Sequence, residues 1–344
     1  MVEVTFSDLF KDNPSHLNHV KPLDFETIST VPDSYRWSTH CEPDPSPDSP
    51  SVPEIDLSAP DAAVQVVNAC ESWGIFQVVN HSVPMDIIEA LDFQTTSLFS
   101  LPANQKLKAL RSPTSASGYG VARIAPFFDN KMWHEGFTLI GSPVDYAVKL
   151  APFDFITFCD VIERYTAKMR DLVSTLLSFT LSEQASDWQR LAELASPALQ
   201  LNSYPICPDP CEAMGMAPHT DTSLFTVLHQ NDVAGLQACK KGVGWVTVRP
   251  KKGALVVHVS DLLHILSNGS MPTVMHRVVM GLKQKHRYSV AYFAGLPVET
   301  ELYPLRIKPG EDRKYRNVTV AEYAGIKAES VNKALSLIAN DQVG

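Results

Sequence analysis

From about Leu199 to Phe293 the polarity of this chain alternates with a period of two. The runs are Leu199–Tyr204, Ser223–His229, Gly235–Ala238, Trp245–Val248, Leu255–Val259, Val274–Met280 and Arg287–Phe293. Turn-forming residues separate them: Asn231-Asp232, Lys241-Gly242, Pro250, Lys251-Lys252-Gly253 and Asn268-Gly269. Successive side chains of a strand point to opposite faces, so each run can bury one face. Many short strands at this spacing predict an antiparallel barrel or a double-sheet jelly roll.

The stretch before it obeys a different period. Phe155, Phe158, Ile162, Tyr165, Met169, Leu172 and Leu176 recur at helical spacing, with Asp160, Glu163, Arg164, Lys168 and Arg170 largely off that stripe. An amphipathic helix of over twenty residues, lying along a sheet, is expected there. Val52–Leu57 reads as a short edge strand, and Ser58 with Pro60 and Asp61 as a helix start. Gly74 stops that helix, and Ile75–Val79 is a strand ending in a turn at Asn80-His81, where His81 is expected to be hydrogen-bonded. Thr319-Val-Ala-Glu322 is a capping box that opens a C-terminal helix through about Ile338. The Pro- and Ser-rich stretch Cys41–Pro53 excludes regular structure and reads as a linker. The chain thus divides into a variable segment and linker (1–51), a helix-rich region (52–194), a jelly-roll domain (195–297) and a C-terminal extension with a helix (298–344). The class is mixed α+β: a double-stranded jelly-roll core flanked by helices.

Within the strand-rich half, His219 and Asp221 are two residues apart. On a strand, i and i+2 share a face, so one imidazole and one carboxylate would project into one volume. His276 closes a triangle if its strand runs alongside. Two His and one carboxylate with the other positions open is the ligand set of non-haem Fe(II) oxygenases. Eleven residues on, Arg287 and Ser289 again share a face and offer a guanidinium and a hydroxyl, which suit a small carboxylate. Asn202 and Tyr204 can add an amide and a phenol. His258, Asp261 and His264 could form a second metal site, but His258 sits in an alternating run and His264 in an apolar one, which disfavours it.

These residues, in this order, resemble the plant 2-oxoglutarate- and Fe(II)-dependent dioxygenases. The resemblance spans roughly Val52 to Gly295 and rests on His219-Thr-Asp221, His276, Arg287-Tyr-Ser289 and the segment Asn202-Ser-Tyr-Pro-Ile-Cys-Pro208. It implies that His219, Asp221 and His276 hold Fe(II), and that Arg287, Ser289, Tyr204 and Asn202 hold 2-oxoglutarate. It further implies O2 as cosubstrate, ascorbate as reductant, and no catalytic side chain beyond the metal site. Ser117–Phe128, Lys131–Thr138, Gly244–Val248 and Leu262–Gly269 resemble the gibberellin 3-oxidases (gibberellin 3-beta-dioxygenases). That points to hydroxylation of carbon 3 of a gibberellin, with release of succinate and CO2. The chain departs from the pattern at His258, where Asn is expected, at Ser260, where Gly is expected, and at Ala151-Pro152, where Trp-Pro is expected. Carbon 2 therefore stays open as the alternative target, alone or together with carbon 3. A gibberellin is an apolar tetracycle with a carboxylate, and Arg123, inside the apolar loop Val121–Phe128, is the candidate cation for it.

Composition narrows the other classes. The net charge is −9 with no Lys/Arg-rich block, which argues against nucleic acid and anionic membranes. No apolar run reaches the ~20 residues of a membrane span. The start of the chain lacks a secretory signal pattern, so a cytoplasmic enzyme with no obligate protein partner is expected. The six scattered Cys are expected to be reduced thiols. A zinc hydrolase is disfavoured by the lack of a His-Glu-x-x-His pattern. A hormone-binding protein without activity has no use for the Arg287/Ser289 pair.

Overall fold

A computed structural model describes residues 20–38, 49–112, 115–150, 154–181, 185–194, 196–281, 285–330 and 333–340. Twelve strands build two sheets. They are β1 (Glu54–Asp56), β2 (Ile75–Val79), β3 (Gly118–Gly120), β4 (Glu135–Ile140), β5 (Ser196–Tyr204), β6 (Met214–His219), β7 (Phe225–Gln230), β8 (Leu236–Lys240), β9 (Gly244–Thr247), β10 (Leu255–Val259), β11 (His276–Val279) and β12 (Arg287–Gly295). The larger sheet runs β1-β2-β10-β7-β12-β5-β4-β3 and the smaller β6-β11-β8-β9. Except for the parallel pair β1–β2, every pairing in these two sheets is antiparallel. Strands from residues 54–140 and 196–295 therefore share one continuous sheet.

Period-two alternation sorts the large sheet into two cores. Val227, Val257, Val290 and Tyr292 point outward and pack with the helices Ala62–Ser72, Met85–Phe99 and Phe155–Thr180. Their neighbours Leu228, Val256 and Ala291 point inward and pack with Leu236, Ala238 and Val278 of the smaller sheet. The inward face is the one that carries polar groups at the mouth between the sheets. The long helix is built as its stripe requires: Phe158, Ile162, Tyr165, Met169, Leu172 and Leu176 are buried, and the Asp154 carboxylate accepts the Thr157 amide at its start. Phe155 differs, lying exposed in the first turn.

Several expectations are corrected. Strand β6 was not legible as a strand, nor were β3 and β4. Ser58 does not cap the first helix: its amide and hydroxyl both bond the Asp56 carboxylate, and the helix begins at Ala62. Thr319 caps as expected, accepting the Glu322 amide at 3.1 Å, but the helix ends at Glu329 and a separate turn of helix follows at Ala334–Leu337. Cys211 is disulfide-bonded, against the expectation of six thiols, whereas Cys70, Cys159, Cys207 and Cys239 keep their thiols. Cys41 and most of the Pro-rich linker lie outside the described residues. His81 is hydrogen-bonded as expected, between the Gly253 carbonyl (2.9 Å) and the Val83 amide.

Gly74 joins the first helix to β2 with φ +71°, and a Cβ there would lie 2.4 Å from the Pro272 carbonyl oxygen. Both the left-handed backbone and the approach of the loop leading to His276 exclude a side chain. Gly74→Ala is expected to lower unfolding stability by about 1–3 kcal/mol, from backbone strain with the clash adding to it. Denaturant titration checks this, and an unchanged midpoint would contradict it.

Candidate active site

Strands β6 and β11 pair so that His219 lies directly opposite His276. Their ring centroids are 4.2 Å apart. The expectation that His219 and Asp221 share one strand face is corrected: β6 ends at His219, and Asp221 lies past its end. The chain nevertheless turns the carboxylate back, to 3.5 Å from His219 Nε2 and 3.9 Å from His276 Nε2. One donor atom from each of the three residues lies within 4.8 Å of the others, the only such cluster among the described residues.

The imidazoles are already held in the tautomer a metal needs. His219 Nδ1 donates to the Ala217 carbonyl at 2.8 Å, and His276 Nδ1 to the Val274 carbonyl at 3.1 Å. A carbonyl can only accept, so both protons sit on Nδ1 and both Nε2 lone pairs face the centre. Burial, and then the neighbouring His219, press the His276 pKa down to about 3, so this ring is neutral at physiological pH. Burial alone would raise Asp221, but the attraction of any proton taken up by His276, the contact with His219, and a proton on His258 pull the other way and hold the carboxyl well below its usual range. Two imidazoles presenting Nε2 and one carboxylate on one side of an open centre fit Fe(II).

The candidate cosubstrate residues meet across the pairing of β12 with β5, where Arg287 faces Tyr204 and Ser289 faces Asn202. Arg287 is 3% exposed and bonds Gln230 Oε1 at 2.9 Å, with Ser289 Oγ at 3.5 Å and its guanidinium carbon 4.9 Å from the Tyr204 ring centre. Its Nε has no hydrogen-bond partner, and no carboxylate among the described residues pairs with it. A buried guanidinium without an acid is costly, and a ligand carboxylate would complete it. Asn202 donates to Ser289 Oγ at 3.4 Å and accepts His134 Nε2 at 2.9 Å. His134 and Gln230 thus belong to this end of the site, although their positions in the sequence gave no hint of it.

A third layer holds the metal loop from behind. Thr226 Oγ1 donates to Asp221 Oδ2 at 2.7 Å. The Asp261 amide donates to the Asp221 carbonyl at 3.0 Å. Lys327, from the C-terminal helix, donates to the Thr220 carbonyl (2.8 Å) and hydroxyl (3.0 Å) and pairs with the Asp261 carboxylate. Tyr323 and Thr273 each donate to Asp261 at 2.7 Å. Thr220 is the residue between the candidate ligands His219 and Asp221, so the C-terminal helix clasps the loop they stand on. The conceivable second metal cluster does not form. Asp261 is consumed by this network, His264 bonds Tyr315 and the Met271 carbonyl, and His258 turns instead toward Asp221. Arg123 lies outside the metal cluster. Its loop packs on β6 through Ala122 and Ala217. Burial and the nearby Arg111 lower its pKa to about 9.

A jelly roll with a His-x-Asp…His centre and, beside it, an Arg-x-Ser pair that meets no acid among the described residues defines an Fe(II)- and 2-oxoglutarate-dependent oxygenase. Residues 195–295 match the 2OG-Fe(II) oxygenase superfamily, and residues 52–152 match the family described as non-haem dioxygenase in morphine synthesis N-terminal. The chain belongs to this oxygenase family. It is 44% identical over 352 residues to gibberellin 3-beta-dioxygenase 1 of Pisum sativum, covering 97% of this chain and 93% of that protein. Gibberellin 3-beta-dioxygenase 1 of Arabidopsis thaliana is 44% identical over 350 residues, covering 97% and 98%. Among solved structures, JOX2 in complex with 2OG, Fe and JA superposes with a TM-score of 0.72 at 29% identity, covering 87% of this chain and 89% of that one. The rice dioxygenase for auxin oxidation, at 23% identity and TM-score 0.70 over 84% of this chain and 100% of that one, shares the fold.

Lys327→Met leaves the Asp261 carboxylate buried and without its cation. The expected cost is about 3–5 kcal/mol of stability, with weaker Fe(II) binding because Thr220 loses its support. Thermal unfolding and anaerobic Fe(II) titration of the variant measure both, and parent-like values in both would remove the clasp.

Proposed function

We propose that this chain is a gibberellin 3-beta-dioxygenase, hydroxylating carbon 3 of a gibberellin precursor with O2 and 2-oxoglutarate and releasing succinate and CO2. The observation that carries the reading is the His219–His276 cross-strand pair with Asp221, set beside the acid-free Arg287. The gibberellin assignment is supported by relatives of that name matching nearly the whole chain. In this reading His219, Asp221 and His276 hold Fe(II), while Arg287, Ser289, Tyr204 and Asn202 hold 2-oxoglutarate. Fe(II) with 2-oxoglutarate and O2 supplies the oxidising power for the C–H bond, with ascorbate keeping the metal reduced. The chain supplies the rest. Arg287 fixes the far carboxylate of the cosubstrate, Ser289 and Asn202 fix its orientation, and the apolar walls between the sheets exclude water.

Substrate recognition falls to the loop Val121–Phe128. It packs on the metal strand through Ala122, Ile124, Ala125 and Phe128, and Arg123 is half-buried within it. We assign Arg123 to the gibberellin carboxylate. The ligand is then a small apolar acid, without nucleic acid, membrane or an obligate protein partner. No helix among the described residues is long and apolar enough to cross a membrane, and the reading places the enzyme in the cytoplasm.

The test supplies protein with Fe(II), 2-oxoglutarate, ascorbate, air and a gibberellin lacking the 3-hydroxyl, and identifies products by chromatography and mass spectrometry. A 3β-hydroxylated product with matching succinate is expected. A 2β product, alone or mixed with the 3β product, would shift the regiochemistry and keep the oxygenase reading. No succinate with iron bound would leave only a binding protein. Arg123→Met should raise the gibberellin KM about tenfold or more, the worth of one charged hydrogen bond, with the 2-oxoglutarate KM unchanged. An unchanged gibberellin KM removes Arg123 from recognition.

A further inference from the structure

A fourth titratable side chain reaches the metal centre and none of the assignments above uses it. His258 stands on β10 directly opposite Thr226 of β7. Both project from the inward face of the large sheet toward the same carboxylate oxygen. Thr226 Oγ1 donates to Asp221 Oδ2 at 2.7 Å, and His258 Nε2 lies 3.7 Å from that same oxygen. The His258 ring is also 4.6 Å from that of His276, tilted by 56°. His258 is 3% exposed, so no bulk water competes for it. It stands outside the three-residue ligand cluster and approaches Oδ2 of Asp221, whereas His219 approaches Oδ1.

Its two nitrogens are placed unequally. Nδ1 is buried and has no hydrogen-bond partner. A neutral imidazole carries one N–H and one lone pair. Leaving a buried N–H without an acceptor costs a full desolvation penalty. The proton is therefore best placed on Nε2, where the Asp221 carboxylate is the acceptor at hand. At 3.7 Å the approach is a contact rather than a hydrogen bond, and a shift of about 0.5 Å closes it. Hydrogen bonds of this kind are often long in ligand-free structures and tighten in the working complex.

We propose that His258 is a positioning residue for the metal: its Nε2–H, together with the Thr226 hydroxyl, holds Oδ2 of Asp221 and so aims the carboxylate at Fe(II). The inference rests on the reading of His219, Asp221 and His276 as the metal ligands. Its physical basis is that outer groups which hydrogen-bond a ligating carboxylate orient it, and losing one typically costs about 10–100-fold in metal affinity. His258→Leu removes the donor at similar volume, and His258→Asn keeps an N–H on a shorter side chain. Anaerobic calorimetric titration with Fe(II) in the presence of 2-oxoglutarate compares both with the parent and with His219→Ala, while thermal unfolding of the metal-free proteins reports folding.

The expected result is that His258→Leu weakens Fe(II) binding about 10–100-fold, and that His258→Asn recovers part of this. The metal-free unfolding temperature of His258→Leu should hold or rise, because an unpartnered polar atom is removed. Fe(II) affinity of His258→Leu within twofold of the parent would overturn the assignment. Equal weakening in the Leu and Asn variants would overturn it too, since the donor would then not matter. If His219→Ala retained parent-like Fe(II) binding, the metal site itself would be misplaced. Loss in His219→Ala with none in His258→Leu would reject His258 alone. Should His258→Leu not fold, His258→Gln against His258→Met makes the same donor comparison.

Discussion

The candidate metal centre depends on the register in which β11 pairs with β6. His276 faces His219 only in that alignment, and a slip of one residue would turn one imidazole to the opposite face of the sheet. The register is held from both sides. On its other edge β11 pairs with β8, with His276 opposite Ala238, a residue small enough to leave the ring room. Val278 of the same strand is anchored in the core between the sheets with Leu236 and Ala238. The apolar alternation that buries Val278 is thus the same alternation that exposes His276 to the centre.

Two buried cations near the site are handled in opposite ways. Lys327 is paired within the fold, by Asp261 and by the carbonyl and hydroxyl of Thr220, and its work is structural: it ties the C-terminal helix to the ligand loop. Arg287 is held by a neutral amide and hydroxyl and faces no carboxylate among the described residues. A fully paired charge rigidifies, whereas an under-paired one waits for a ligand. The contrast agrees with the roles proposed for them, Lys327 in the scaffold and Arg287 at the cosubstrate.

The helices outside the large sheet make this possible from its outward face. They cover its outward face with Phe158, Ile162, Tyr165 and their neighbours, leaving the inward face free to carry Thr226, His258, Ser289 and Asn202. Gly74 sits where these layers meet, since its backbone admits the carbonyl of Pro272 on the loop that leads into His276.

Much of this was legible in order of residues alone. Strands of the core from Leu199 to Phe293 declare themselves because one face must be apolar, and a two-residue period follows from that. The pairs Arg287/Ser289 and Asn202/Tyr204 were readable for the same reason, and they do face one another across β12 and β5. Strand β6 was not, because Met214-Gly-Met-Ala-Pro-His219 hardly alternates: both of its faces meet protein, through Met216 at the core between the sheets and through Ala217 at Met132. Asp221 reached its place by a turn past the strand end, not by strand periodicity. The roles of His258, Thr226, His134, Asp261 and Lys327 had no local signature at all. Each is set by a partner on another element, at separations such as the 107 residues between Thr220 and Lys327. Sequence by itself determined which residues could supply the chemistry, since donor type and spacing are local properties. Only the tertiary structure decided which of them meet, because hydrogen bonds and buried charges are satisfied in space and not along the chain.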